Sequence, residues 1–118
     1  MGGETVYTLL LWKRITTSRK KIKLYKLWLD DERPANKDWV VCRSSQEAIE
    51  YVKTHGWPVY MSLDHDLGIN DTTMVFLKAL MDMWDGLTPP PEYKVHSANP
   101  VGKLNIISYM ESWKKIVP

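Results

Sequence analysis

The sequence predicts an α/β domain on a small, mostly parallel sheet of about four strands with three helices. Short apolar runs of strand length alternate with longer segments of helical periodicity. Two of the runs end in acidic clusters, at Asp30-Asp31 and at Asp64-His65-Asp66, and a third ends in His96-Ser97-Ala98-Asn99. If the runs lie parallel, these ends share one edge, the crevice where open α/β sheets place ligands. So many carboxylates together repel one another, and a divalent cation is the simplest compensation, which makes phosphate chemistry the leading expectation.

Element by element, Lys23 to Leu29 alternates and then becomes continuously apolar, as a strand entering a covered sheet does. A polar loop, Asp30 to Asp38, is punctuated by Pro34, and Trp39-Val40-Val41-Cys42 reads as a short second strand. Only about nine residues separate these strands, short for a parallel crossover, so they join either by a tight irregular loop or as an antiparallel pair. Ser44 and Glu47 form a capping box for a helix that buries Ala48, Ile49 and Val52 and stops at Gly56. Pro58 leads into the strand Val59 to Leu63. Asp71-Thr72 opens a second helix with an apolar stripe of Val75, Phe76, Ala79, Leu80 and Met83, ending near Gly86. After the stiff Thr88-Pro89-Pro90-Pro91 connector comes a fourth strand, Tyr93 to His96. Asn99-Pro100 starts the last helix, Asn as cap and Pro at the first position, with Leu104, Ile107, Tyr109, Met110 and Trp113 as its apolar positions.

A chain of 118 residues holds one small core and not two. Residues 1–23 carry six bases (Lys13, Arg14, Arg19, Lys20, Lys21, Lys23) against Glu4, so the net charge of +2 hides a basic N-terminal extension on an acidic body. Such an arm is either solvated or a weak nucleic-acid contact. The apolar run Val6 to Trp12 is too short to span a bilayer, and its bases follow it, the wrong order for a secretory signal. Val6 also stands where a myristoylation motif starting at Gly2 needs Ser or Thr. With no membrane or export address, and with the single Cys42 fitting a reducing compartment, a cytoplasmic location is expected.

The order of parts resembles a response-regulator receiver domain, a flavodoxin-like fold. Asp30-Asp31 match its metal-binding acidic pair, Asp64 its phosphoryl-accepting aspartate and Ser97-Ala98 its Ser/Thr-Ala switch. The helix after the first strand and the lysine-bearing fifth strand are missing, and His65 and His96 are added. These departures resemble the cyclic-phosphate-processing receiver-like domains of bacteria and phages. That group has Leu-Asp-Asp-Glu-Arg-Pro (Leu29 to Pro34), Ser-Leu-Asp-His-Asp-Leu-Gly (Ser62 to Gly68) and His-Ser-Ala-Asn-Pro-Val-Gly (His96 to Gly102). The resemblance covers residues 24–118 and implies a truncated receiver fold acting on a cyclic phosphate.

On this reading Asp30, Asp31 and Asp64 supply oxygen ligands to Mg²⁺ or Mn²⁺. Asp66 either adds a further ligand, orients His65 or caps a turn. His65 and His96 are candidates for the acid and base that ring opening requires. Arg33, Ser97, Asn99 and Lys103 are expected at the phosphate, with Asn99 also capping the last helix. His55 is a last-turn charge. Three functions compete: a metal-dependent phosphoesterase acting on a cyclic nucleotide or an RNA end, a signalling module phosphorylated on Asp64, and a non-catalytic binder of a phosphate-bearing ligand.

Overall fold

The computed structural model describes residues 24–118. The separate basic extension expected over residues 1–23 lies outside the described residues.

Four strands, β1 (Lys26–Leu29), β2 (Trp39–Cys42), β3 (Tyr60–Leu63) and β4 (Glu92–Val95), form one sheet in the order β2-β1-β3-β4. Every pairing is parallel. The β1–β2 connection is therefore the irregular loop, not an antiparallel turn. The helices are α1 (Ser45–His55), α2 (Thr73–Asp82) and α3 (Pro100–Ile116). Both helical crossovers, β2-α1-β3 and β3-α2-β4, run the same way across the sheet. The right-handed rule sends both helices to one face, and α3 packs beside them. The β1-to-β2 step runs the opposite way, which would place a helix on the other face. Nine residues hold no helix, so among the described residues that face carries only the loop and its own side chains.

Strand alternation divides the residues accordingly. Leu27, Leu29, Met61 and Leu63 point into the helical layer and are fully buried with Phe76, Leu77, Leu80, Ile106, Met110 and Trp113. Each such side chain contributes about 1.5–3 kcal/mol relative to exposure. Trp57 and Trp84 meet Trp113 edge-on at 5.6 and 5.9 Å.

The helix starts follow the sequence. Ser44 Oγ accepts from Glu47 N at 3.1 Å, and Asn99 Oδ1 accepts from Gly102 N at 3.0 Å. Gly56 ends α1 at φ 85°, a left-handed conformation that suits glycine, and its N–H reaches Val52 O at 2.8 Å. Two expected stripes are rotated. Val75 and Leu104 are exposed, while Leu77, Ile106 and Gly102 take the buried positions. The cause is that α2 and α3 each pack against both the sheet and a neighbouring helix, so the buried stripe is set by two contacts. α2 also stops at Asp82, before Gly86, and Asp71 does not cap it. Instead its carboxylate accepts from Ser45 N at 2.9 Å and Ser45 Oγ at 2.5 Å, tying the loop before α2 to the start of α1.

Candidate active site

Asp30, Asp64 and His96 each follow a parallel strand by one residue. Period-two alternation puts them on the helix-free side, above Trp28, Ser62 and Lys94. Backbone bonds Asp64 N to Leu29 O (2.9 Å) and His96 N to Leu63 O (3.0 Å) carry the ladder up to this level. One carboxylate oxygen from each of Asp30, Asp31 and Asp64 lies within 4.8 Å of the others.

Asp30 is the fixed member, 1 % exposed. Its Oδ1 accepts from the amides of Glu32 (2.9 Å) and Arg33 (2.8 Å), and its Oδ2 meets His96 Nε2 at 2.9 Å. Burial pushes its carboxyl up, but the Arg33 and Glu32 amides and His96 outweigh that and hold it below the usual carboxylate range. Asp31 and Asp64 are half-buried. The donor set fits a hard divalent ion: all oxygen, closely spaced, with one Oδ2 lone-pair direction of Asp30 beyond His96.

His96 was expected to exchange protons with substrate, but both of its ring nitrogens are engaged. Nδ1 lies 2.8 Å from Ser62 Oγ, Nε2 is held by Asp30, and the ring stacks on Trp28 with centroids 4.2 Å apart. This arrangement orients the Asp30 carboxylate.

His65 is held differently. Its amide donates to Asp64 Oδ1 at 2.9 Å, and its Nδ1 lies 3.0 Å from Asp66 Oδ1. Its Nε2 makes no hydrogen bond to a described residue. The loop 66–72 folds back through an Asp66–Thr72 bridge, and Thr73 binds the carbonyls of His65 (through N, 2.9 Å) and Asp64 (through Oγ1). The ring rests against Gly102 of α3, where an added Cβ would meet His65 Cγ, Nδ1 (2.6 Å) and Cβ (2.7 Å). Asp66 lies outside the acidic triad, exposed, with Oδ1 at the His65 ring and Oδ2 accepting from Asn99 Nδ2 at 3.1 Å. The His65 ring and the Asn99 amide hold its carboxyl below the ordinary value.

The remaining expected residues surround these. Arg33 commits Nη1 to His96 O at 2.6 Å. Ser97 Oγ accepts from Asn99 N at 3.0 Å, so Ser97 retains a hydroxyl proton to donate. Asn99 both caps α3 and braces Asp66. Lys103 is exposed in the first turn of α3, its amide bonded to Asn99 O. His55 stacks on Tyr51 in the last turn of α1, as a structural residue.

Four contributors were missed from sequence. Arg43 Nη1 binds Asp30 O (3.0 Å) and Arg33 O (2.7 Å), clamping the β1–β2 loop. Its signal is that it follows β2 as Asp30 follows β1. Ser62 and Trp28 were readable from alternation, sharing a side with Asp64 and Asp30. Gly102 stands in the sequence only as the last residue of the third motif, with no legible role, because that role is a tertiary approach. A hollow of about 410 Å³ between α2 and α3, lined by Met74, Lys78, Asn105, Ser108, Tyr109 and Ser112, contains none of these site residues.

Among the described residues no helix is long and apolar enough to cross a membrane. No curated protein and no solved structure matches the chain. A family model described as the cyclic-phosphate processing receiver domain matches residues 25–112, a span that includes all three motifs and every residue of the acidic triad. With its parallel sheet and converging carboxylates, the chain belongs to the cyclic-phosphate processing receiver domain family.

Proposed function

We propose that this protein is a metal-dependent phosphoesterase that hydrolyses a cyclic phosphate. The observation that carries the reading is an acidic triad of Asp30, Asp31 and Asp64 beside a histidine with one ring nitrogen braced and the other unengaged. The triad would hold Mg²⁺ or Mn²⁺, which when bound supplies charge neutralisation at phosphate oxygens and lowers the pKa of a bound water.

The chain's own residues do the rest. Hydrolysis adds water across one ring P–O bond, giving a phosphomonoester and a free hydroxyl. One proton leaves the attacking water and one reaches the departing oxygen. With Asp66 accepting from Nδ1–H, His65 presents the Nε2 lone pair as a base, or its protonated form as an acid. His96 acts through Asp30 and is a positioning residue. The remaining guanidinium donors of Arg33, the Ser97 hydroxyl and Lys103 orient the phosphate. Asn99 serves them by fixing the start of α3 and the Asp66 carboxylate.

The test is ³¹P NMR of a panel of 2′,3′- and 3′,5′-cyclic nucleotides and a short RNA ending in a 2′,3′-cyclic phosphate, with Mg²⁺ or Mn²⁺. Turnover is expected for at least one, and Asp31→Asn should abolish both turnover and metal-induced thermal stabilisation. A wild type that binds metal yet leaves the whole panel intact would refute the reading. Tight, metal-dependent binding with the ligand recovered unchanged would establish a binding module instead.

A further inference from the structure

Among the described residues the sheet's second face carries no helix. In register, Lys26 lies between Trp39 and Tyr60, and one row nearer the site Trp28 lies between Val41 and Ser62, with Lys94 beyond. Trp28 meets Trp39 edge-on at 5.6 Å, and Trp39 meets Tyr60 at 5.9 Å. All three rings remain partly exposed, with no helix among the described residues covering them. The centre of a protein-docking face is depleted of lysine. This one carries two ammonium groups over Trp39, Lys26 Nζ at 4.6 Å and Lys94 Nζ at 5.5 Å from the ring centroid. Neither lysine is ion-paired with a described residue, whereas Lys53 and Lys114 pair with acids on their own helices. The strand acid on this face, Glu92, ends the row of Trp39, Lys26 and Tyr60 at the outer edge of the sheet, beside Tyr60.

The aromatic row runs on into the site. Trp28 stacks on His96, and His96 holds Asp30. Arg43 and Arg33 stand at the same edge. Aromatic rings with unpaired cations on an open four-stranded sheet are the requirements for stacking bases while neutralising phosphates. A second copy of this face would bring lysines against lysines.

We propose that the helix-free face is a platform for single-stranded RNA, on which Trp39 and Tyr60 stack about two bases and Lys26 and Lys94 take the backbone, delivering a terminal cyclic phosphate past Trp28, whose ring is held by His96 and the Arg33 carbonyl, to the acidic site. Only the fate of that terminus rests on the phosphoesterase reading. Binding is separable from it.

The experiment is fluorescence anisotropy of a labelled single-stranded RNA decamer ending in a 2′,3′-cyclic phosphate, against the same sequence as a duplex and against a cyclic mononucleotide, using the full chain. The single strand is expected to bind at least tenfold more tightly than either. Lys26→Glu/Lys94→Glu should weaken it at least tenfold and reduce the log–log salt slope by about 1.4, at about 0.7 per lost contact, with mononucleotide turnover unchanged. Lys94→Glu alone, at an exposed position, serves if the double variant does not fold, with about half the slope change. Equal binding of duplex and single strand, binding no tighter than the mononucleotide, or charge-reversed protein that binds like wild type overturns the proposal. So does sedimentation showing a dimer that Tyr60→Glu dissociates. Decamer binding with these dependences but no turnover of any cyclic phosphate supports the platform and removes the phosphoesterase reading.

Discussion

Gly102→Ala is the sharpest perturbation of the site, because two opposing effects have different signs. Within a helix alanine is favoured over glycine by up to about 1 kcal/mol, so a solvent-facing Gly102 in the first turn of α3 would become more stable on substitution. The structure instead places His65 there, with the added Cβ 2.6 Å from Nδ1 and 2.7 Å from Cβ. Ordinary carbon contacts are about 3.5–4.0 Å, so the ring must retreat by roughly 1 Å. Rotation about χ1 does not relieve it, since the Cβ of His65 is itself in the clash. The His65 backbone is held by Thr73 and by the Asp64 side chain, so the retreat strains that loop. Overpacking of this kind costs about 1–3 kcal/mol, giving a net loss between about 0 and 2 kcal/mol after the helix gain. The retreat also lengthens the 3.0 Å contact to Asp66, and a misplacement near 1 Å costs about 100-fold in rate. Urea denaturation, imidazole ¹H–¹⁵N spectra and cyclic-nucleotide turnover read the three consequences. A variant stabilised by about 1 kcal/mol, with His65 resonances and turnover unchanged, refutes the seating of His65 on α3.

Three further outcomes follow from other contacts. His96→Phe keeps the stack on Trp28 but removes the partner of Asp30 Oδ2; metal affinity should fall about 10–100-fold by calorimetry with Mn²⁺, and an unchanged affinity would show that Asp30 needs no orientation. Asp71→Ala strands the buried Ser45 amide and hydroxyl and should cost about 1–3 kcal/mol in urea denaturation, whereas a surface-like change under 0.5 kcal/mol would mean the α1 start is held some other way. Burial, then the Glu47 charge, pushes the Cys42 thiol up to about 12, so its thiolate, the reactive form, is on the order of 1 in 10⁴ at pH 8 and gains about tenfold per pH unit. Native-state alkylation should therefore be slow at pH 8 and match the global unfolding rate; rapid labelling of folded protein would contradict the burial of β2.

Much of the fold is legible because local signals agree. Ser44 with Glu47, and Asn99 with Pro100, mark helix starts through backbone donors that need a nearby acceptor, a requirement the sequence states directly. The strands read as apolar runs of the right length, and their acidic ends gave Asp30, Asp31 and Asp64 before any geometry. The β1–β2 pairing was not legible, since a nine-residue loop is compatible with either direction until β3 takes the other side of β1. The exposed Val75 and Leu104 show the same limit, because periodicity gives a stripe's spacing and not which neighbour it faces.

The division of roles between the two histidines was beyond sequence for a similar reason. Both follow strands, both neighbour polar residues, and both had equal claims to acid–base work. What separates them is the company each ring keeps: His96 lies between Ser62, Asp30 and Trp28, so its nitrogens are spent, while His65 is pinned by Asp66 and Gly102 with one nitrogen unengaged. By itself the sequence determined which residue types reach the sheet's edge, because strand length and period are properties of consecutive residues. Only the tertiary structure decided which of them touch, and that one face of the sheet carries no helix among the described residues, because both depend on strand order and crossover direction, which join residues far apart in the chain.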